Sequence, residues 1–149
     1  MSVKYDDDYY LWSLKQAEYF EERKFDMLDL ENLIEELISL GNSQYSKLES
    51  HLIILFMHML KCKYQPGKHT RSWDLSIKGS TYHAKRTLQQ NPGLKHKMDE
   101  IVKDAYYSAG LEAAKETGLD EKIFPEECPW DILEILQEGT PPPNLTGEG

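Results

Sequence analysis

The chain carries apolar residues at the 3.6-residue period of an α-helix, and this pattern constrains its fold most. In the segment "LDLENLIEELISLGN", apolar residues occupy positions i, i+3, i+4, i+7 and i+8: Leu30, Leu33, Ile34, Leu37 and Ile38. This spacing predicts an amphipathic helix with Asp29 as its N-cap and Gly41 as its C-cap. A strand would need alternation with period two, and no stretch alternates long enough to predict one. The sequence therefore predicts an all-α protein.

A longer helix is predicted to follow this one, from residue 43 to about residue 64. Pro66 and Gly67 end it, because proline cannot continue the helical hydrogen-bond ladder. Between residues 52 and 60 the helix is apolar nearly all round, and such a helix belongs in the middle of a bundle. We therefore expect a long, nearly all-apolar helix at the centre of the fold.

Capping residues and apolar spacing predict further helices on both sides of this pair. Asp6 to Asp8 can cap a first helix that ends near Arg23. A fourth helix is marked from Trp73 to Asn91, and a fifth from Pro92 to Gly118. Pro129 is predicted to start a short last helix.

The predicted organisation is one helical domain over residues 1–138, a bundle of about five to six helices. A chain of 149 residues is long enough to bury roughly two-thirds of its unfolded surface. The segment 139–149 is rich in proline and glycine and has little apolar surface to bury, so we expect a disordered tail.

Several features of the composition predict a cytoplasmic protein without a membrane segment. The start of the chain lacks the basic and apolar regions of a secretory signal. The longest apolar run is half of the roughly 20 residues that a membrane-spanning helix needs. The two cysteines, Cys62 and Cys128, are then expected to be reduced thiols rather than a disulfide.

Charge is distributed unevenly along the chain, which has a net charge of -9. Residues 1–40 carry 4 basic and 11 acidic side chains, residues 41–119 carry 12 and 7, and residues 120–149 carry 1 and 8. The basic middle allows a nucleic-acid surface, with these candidate residues: Lys63, Lys68, Arg71, Lys78, Lys85 and Arg86. We favour instead acidic ends that cover a basic face, because the acidic chain is repelled from a polyanion at long range.

His58 lies in the most apolar stretch and marks the main candidate site. The favoured interpretation is a buried polar cluster between neighbouring helices: Glu31, Glu35, His58, Lys61 and Arg71. A metal ion is the alternative, since His58 and Cys62 at i, i+4 can share one with Glu31 and Glu35. The chain lacks the Glu-x-x-His, Cys-x-x-Cys and His-Glu-x-x-His motifs of common metal sites, so we expect no metal and no cofactor.

The order of several blocks gives the chain a resemblance to a known family. These blocks are "DDDYYLW", "LDLENLIEELISLG", "HMLKCKYQP", "RSW", "NPGLK", "AYYSAGLEAAKETGL" and "FPEECPW". Over residues 6–137 the chain resembles the bacterial family catalogued as domain of unknown function twenty-nine. The resemblance implies an all-helical, single-domain protein and no activity that can be transferred.

No catalytic motif is evident, so the sequence favours a protein that is not an enzyme and nominates no catalytic residues. The favoured function is an interaction module that binds another protein or a second copy through aromatic side chains: Tyr9, Tyr10, Tyr106 and Tyr107. A protein that binds or acts on nucleic acid through residues 61–97 is the alternative, with Tyr64, Trp73 and Tyr82 as stacking groups. A metal-binding bundle with His58 as a ligand is a lesser alternative.

Overall fold

The protein is described by a computed structural model that covers residues 3–141. Its α-helices are α1 (Tyr9–Glu21), α2 (Leu30–Tyr64), α3 (Arg71–Gln90), α4 (Met98–Thr117) and α5 (Ile132–Glu138). Short 3-10 turns lie at Phe25–Met27, Pro66–Lys68, Pro92–Lys97 and Glu121–Ile123. These residues contain no strand, which confirms the all-α prediction. None of the helices in this part of the chain carries an apolar stretch long enough to cross a bilayer.

One uninterrupted helix, α2, replaces the two helices that were predicted between residues 30 and 64. The prediction of a C-cap at Gly41 is wrong, because the chain continues through Gly41 and Ser43 as helix for 35 residues in all. A glycine C-cap needs the left-handed conformation. Among the described glycines, Gly118 and Gly139 adopt it, at φ of 75° and 79°. Gly118 ends α4 as predicted, and Gly139 ends α5.

The start of most helices follows the capping residues in the sequence. Asp8 caps α1 as predicted, and its carboxylate accepts a hydrogen bond from the Leu11 amide at 2.9 Å. The last helix starts later than Pro129, because the carboxylate of Asp131 caps it by accepting from the Glu134 amide at 3.3 Å. After Asn91 the chain first forms the 3-10 turn Pro92–Lys97, and only then begins α4.

The chain divides into two compact units, Met1–Ser43 and Gln44–Gly149, and α2 begins in the first and ends in the second. A single domain over residues 1–138 therefore stays a prediction. The predicted disordered tail over residues 139–149 falls mainly on residues 142–149, which lie outside the described residues.

The first unit has little core of its own. Of its described residues, 3–43, only Trp12 and Gln16 are buried. Trp12 packs edge-on against Tyr5, with ring centroids 4.8 Å apart. Polar contacts rather than apolar burial therefore hold this unit together.

The second unit contains the hydrophobic core, which forms around the second half of α2. Its fully buried large side chains include Leu48, Leu52, Leu55, Phe56, Met59, Leu60 and Ile101. Phe56 stacks on Trp130 and meets Tyr106 edge-on, at centroid distances of 6.2 and 6.0 Å. The segment "FPEECPW" thereby attaches the C-terminal part of the chain to this core.

The second half of α2 is not buried on every side along its length, whereas burial nearly all round was predicted. Residues 53, 54, 57 and 58 are partly exposed or exposed, so a nearly all-apolar central helix is not confirmed. α3 contributes three hydroxyl residues to the core: Ser80, Thr81 and Thr87. Each donates to the backbone carbonyl four residues earlier, so the burial leaves no hydroxyl without a partner.

Candidate interaction surface

The first half of α2 presents an apolar stripe to water. We define the apolar stripe as Leu30, Ile34, Leu37 and Ile38, which occupy positions i, i+4, i+7 and i+8. These side chains are 56–67% exposed. Leu40 lies on the same segment and is also exposed. Because a helix normally turns such a stripe towards a core, the stripe is the most unusual surface of the first unit.

A pair of carboxylates, Glu31 and Glu35, lies along one edge of the apolar stripe. At 100° per residue they project next to Ile34 and Ile38, and both are exposed. None of the ion pairs among residues 3–141 includes either carboxylate. The edge of the stripe is therefore negatively charged, and no cation from residues 3–141 is paired with it.

The other side of this half-helix carries the contacts with the N-terminal segment. Tyr5 donates to the Glu36 carboxylate at 2.5 Å, and Tyr9 donates to its other oxygen. These hydrogen bonds lower the pKa of Glu36, and the bond to Glu36 is the main cause that raises the pKa of Tyr5 to about 12. The tyrosines thus attach behind the apolar stripe and leave it uncovered.

Asp29 fixes the start of α2 against α1. Its carboxylate accepts from the Asn32 side chain at 2.8 Å and from the Trp12 indole at 3.0 Å. The Asn32 side-chain bond is the main cause that lowers the pKa of Asp29, and the Trp12 bond acts in the same direction. The Asp29 amide in turn donates to the Gln16 side chain at 2.8 Å. The N-cap role predicted for Asp29 is confirmed by its bond from the Asn32 amide.

The residues of the predicted polar cluster have other partners or face water. α2 has no turn between Glu35 and His58, so the two lie on one helix and not on neighbouring helices. His58 is half-buried, and its Nδ1 lies 2.9 Å from the carbonyl of Ile54. Glu31, Glu35 and Arg71 are exposed.

Lys61 is the member of that cluster that is buried and paired. It donates to the carboxylate of Glu116 at 2.5 Å, and its ammonium lies 4.5 Å from the centroid of the Trp73 ring. Glu116 was missed because it lies 55 residues away in the sequence, near the end of α4. No local spacing relates Glu116 to Lys61, so only the tertiary packing shows the pair.

The residues of the metal alternative do not form a site among residues 3–141. No group of three or more His, Cys, Asp and Glu side chains in this range is placed to hold an ion. Cys62 is buried, and burial raises the pKa of its thiol. A neutral thiol is a poor metal ligand.

The basic candidates of the nucleic-acid alternative gather partly on α3. Lys78, Tyr82, Lys85 and Arg86 follow one another at i, i+4, i+7 and i+8, which we call the basic face. Arg86 donates to the Tyr82 hydroxyl at 3.1 Å. Lys63 instead lies 5.9 Å from the ring centroid of its neighbour Tyr64. Lys68 is exposed in the 3-10 turn that follows α2.

The aromatic candidates divide into exposed and buried side chains. Tyr9, Tyr10 and Tyr107 are exposed. Tyr106 is buried and donates to the Pro125 carbonyl at 2.5 Å, and burial is the main cause that raises its pKa to about 12. Its place on an interaction surface is therefore a wrong prediction.

Comparison with known proteins gives the family. The family model described as "Domain of unknown function DUF29" matches residues 4–139. The chain belongs to this family. The resemblance noted over residues 6–137 is thereby confirmed. No curated protein and no solved structure matches the chain.

Membership of DUF29 assigns no activity, so the function has to be argued from the surfaces of this chain. One further site that the sequence did not suggest is the stacked pair of His51 and His83 in the second unit, with ring centroids 5.2 Å apart. His51 Nε2 is buried without a hydrogen-bond partner among the described residues. Burial, followed by the nearby His83 and Lys47, lowers the pKa of His51. The two histidines belong to different helices, and no local spacing relates them.

Proposed function

We propose that this DUF29 protein is a bacterial, cytoplasmic interaction module, and that its apolar stripe binds an amphipathic helix of another protein. The exposure of all four stripe side chains is the observation that carries the proposal. Two amphipathic helices pack along their apolar faces, and positions i, i+4, i+7 and i+8 of the stripe form such a face. Both cysteines are free thiols, which fits a reducing compartment.

The size of the stripe fits a helix as the partner. With somewhat over half of each side chain exposed, the stripe and Leu40 leave on the order of 500 Å² of apolar surface in water. A patch of this size reaches the upper range for a monomer and often marks a binding site. The stripe extends over about two turns of α2, enough to pack against the apolar face of one helix.

Site-specific photo-crosslinking in expressing cells tests the proposal. A photoreactive residue in place of Leu37 should give one discrete heavier adduct, because the partner covers this position. The matched control is Ser39, which is exposed on the opposite side of the same helix. A second variant, Ile34→Lys, should remove the adduct formed from position 37.

The measurement also separates the proposal from its alternatives. If the adduct has twice the mass of the chain, the occupant is a second copy. If positions 37 and 39 crosslink equally, or neither does, the stripe is not a binding surface. Circular dichroism of each variant must show unchanged helix content, so that loss of the adduct reports on the surface and not on folding.

A second candidate function, binding of single-stranded nucleic acid, is favoured by the basic face of α3. Lys85 and Arg86 lie together with Tyr82 around an open cavity of about 470 Å³. An aromatic ring between cations can stack a base while the cations contact phosphates. Binding of an oligonucleotide that weakens steeply with salt and is lost in Arg86→Gln would support this function. Absence of binding at low salt would exclude it.

A further inference from the structure

We infer that the partner helix of the apolar stripe carries lysine or arginine along the edge that meets Glu31 and Glu35. The inference rests on the proposed function and adds the charge of the partner to it. It depends on the local arrangement of the two carboxylates and on the charge of the whole first unit.

Glu31 and Glu35 form a like-charge pair on the edge of the stripe. Residues at i and i+4 of a helix are neighbours, and two carboxylates at this spacing destabilise the helix. The structure relieves the third carboxylate of this half-helix, Glu36, through the hydroxyl groups of two tyrosines. It supplies no such donor to Glu31 or Glu35 among the described hydrogen bonds and ion pairs. A cation on a bound helix would relieve both.

The first unit as a whole reinforces this preference. Residues 1–40 carry 4 basic and 11 acidic side chains, a net charge of 4 - 11 = -7. A basic partner is attracted to such a unit at long range, and its association is accelerated. An acidic helix would bring like charges next to Glu31 and Glu35 and would bind more weakly.

A second copy of the chain fits the surface less well than a basic helix does. Pairing two stripes would bring two first units of the same negative charge together. A heterologous helix with basic flanks avoids this repulsion and gains attraction instead.

Two designed helical peptides of about 20 residues test the charge of the partner. Both carry the same apolar face, and their flanking positions are lysine in one and glutamate in the other. Fluorescence anisotropy measures binding of each labelled peptide to the full chain. At low salt we expect the basic peptide to bind about tenfold more tightly, and we expect the difference to shrink as salt screens the charges.

Charge variants of the chain assign the effect to the edge of the stripe. The double variant E31Q/E35Q should weaken the basic peptide about three- to fivefold and leave the acidic peptide unchanged or slightly tighter. The control E112Q/E127Q removes the same charge from two exposed positions of the second unit. It should change binding of either peptide less than twofold, because neither position belongs to the helix that carries the stripe.

The outcomes distinguish failure of the inference from failure of the proposed function. If both peptides bind equally and Leu37→Lys abolishes this binding, the inference of a basic partner is overturned. The apolar stripe then remains a binding surface. A wild-type dimer in sedimentation equilibrium that Leu37→Lys converts to a monomer overturns the inference in favour of a second copy. No binding of either peptide together with a monomeric chain overturns both proposals.

Discussion

The two halves of α2 carry the same apolar spacing and have opposite surroundings. In the first half the i, i+4, i+7 and i+8 positions are Leu30, Ile34, Leu37 and Ile38, which are 56–67% exposed. Eighteen residues later the same spacing recurs as Leu48, Leu52, Leu55 and Phe56, which are 0% exposed. The helical pattern therefore specifies an apolar side of the helix but not what covers that side.

The polar contacts of the two halves differ as well. The first half depends on them, since Asp29 and Glu36 make the bonds that attach α1 and the segment before it. In the second half the ion pair of Lys61 with Glu116 accompanies an extensive apolar core. The first half should therefore be the less stable, because few buried apolar contacts oppose its opening.

The largest expected difference between the halves is the cost of truncating equivalent leucines. Leu55→Ala removes fully buried atoms and leaves a cavity, so we expect a loss of about 3 kcal/mol in the free energy of unfolding. Leu37→Ala removes exposed atoms and should cost less than about 0.5 kcal/mol. Urea unfolding followed by circular dichroism measures both. A comparable loss at position 37 would mean that the stripe is already covered in the free protein.

Removal of the cap of α2 should affect the first unit alone. Asp29→Ala removes three accepted hydrogen bonds and leaves the Trp12 indole without its partner, a cost of about 1–2 kcal/mol. Hydrogen exchange should accelerate in residues 9–43 and stay unchanged in the core around Leu55. Asp26→Ala, at an exposed position, is the control. Faster exchange in both units would show that the halves of α2 open together.

Replacing Gly41 should stabilise the junction between the halves. Apart from the adjacent residues and the nearby backbone of its own helix, no atom lies within 4 Å of a Cβ added at Gly41, and its φ is not positive. Gly41→Ala should therefore raise the free energy of unfolding by about 0.5–1 kcal/mol, as expected inside a helix. Gly118→Ala should lower it, because Gly118 has a φ of 75°. Destabilisation by Gly41→Ala would contradict a continuous helix.

The smallest expected effect is a pH dependence confined to the second half. Because the pKa of His51 is lowered from 6.5 in the folded chain, the unfolded chain binds the proton more readily. The contribution of neutral His51 to the free energy of unfolding is then fully present above pH 6.5 and is lost as the pH falls below this value. Thermal unfolding at several pH values should show a shallower decrease in His51→Asn than in wild type. An unchanged slope in His51→Asn would contradict the assignment to His51.

How far the sequence predicts the structure depends on the range of the interaction. Caps such as Asp8 and Asp29, and stops such as Gly118, act within a few residues and were predicted. Gly41 was misassigned because a glycine C-cap and a glycine inside a helix look alike unless the backbone angle is known. The partner of Lys61 was missed because packing of α2 against α4 determines it.

The sequence predicted an interaction surface but placed it on other side chains than the apolar stripe. An interaction surface was expected on tyrosines, but Tyr106 points into the core and donates to Pro125. The stripe from Leu30 to Ile38 was recognised as helical, and its spacing alone could not distinguish it from the buried set that begins at Leu48. Exposure depends on which other elements pack against a helix, and local spacing does not contain that information.

The placement of Cys62 gives the chain a built-in reporter of opening. Cys62 lies in the second half of α2 with 1% of its surface exposed, and the first unit contains no cysteine. Burial is the main cause that raises the pKa of both thiols, Cys62 and Cys128, and so disfavours their reactive thiolate forms. The reaction of a thiol reagent with Cys62 therefore proceeds at the rate at which the second unit exposes its core, and the half-buried Cys128 reacts separately. The kinetics of that reaction report on opening of the second half of α2. The first half contains no thiol and does not contribute to the signal.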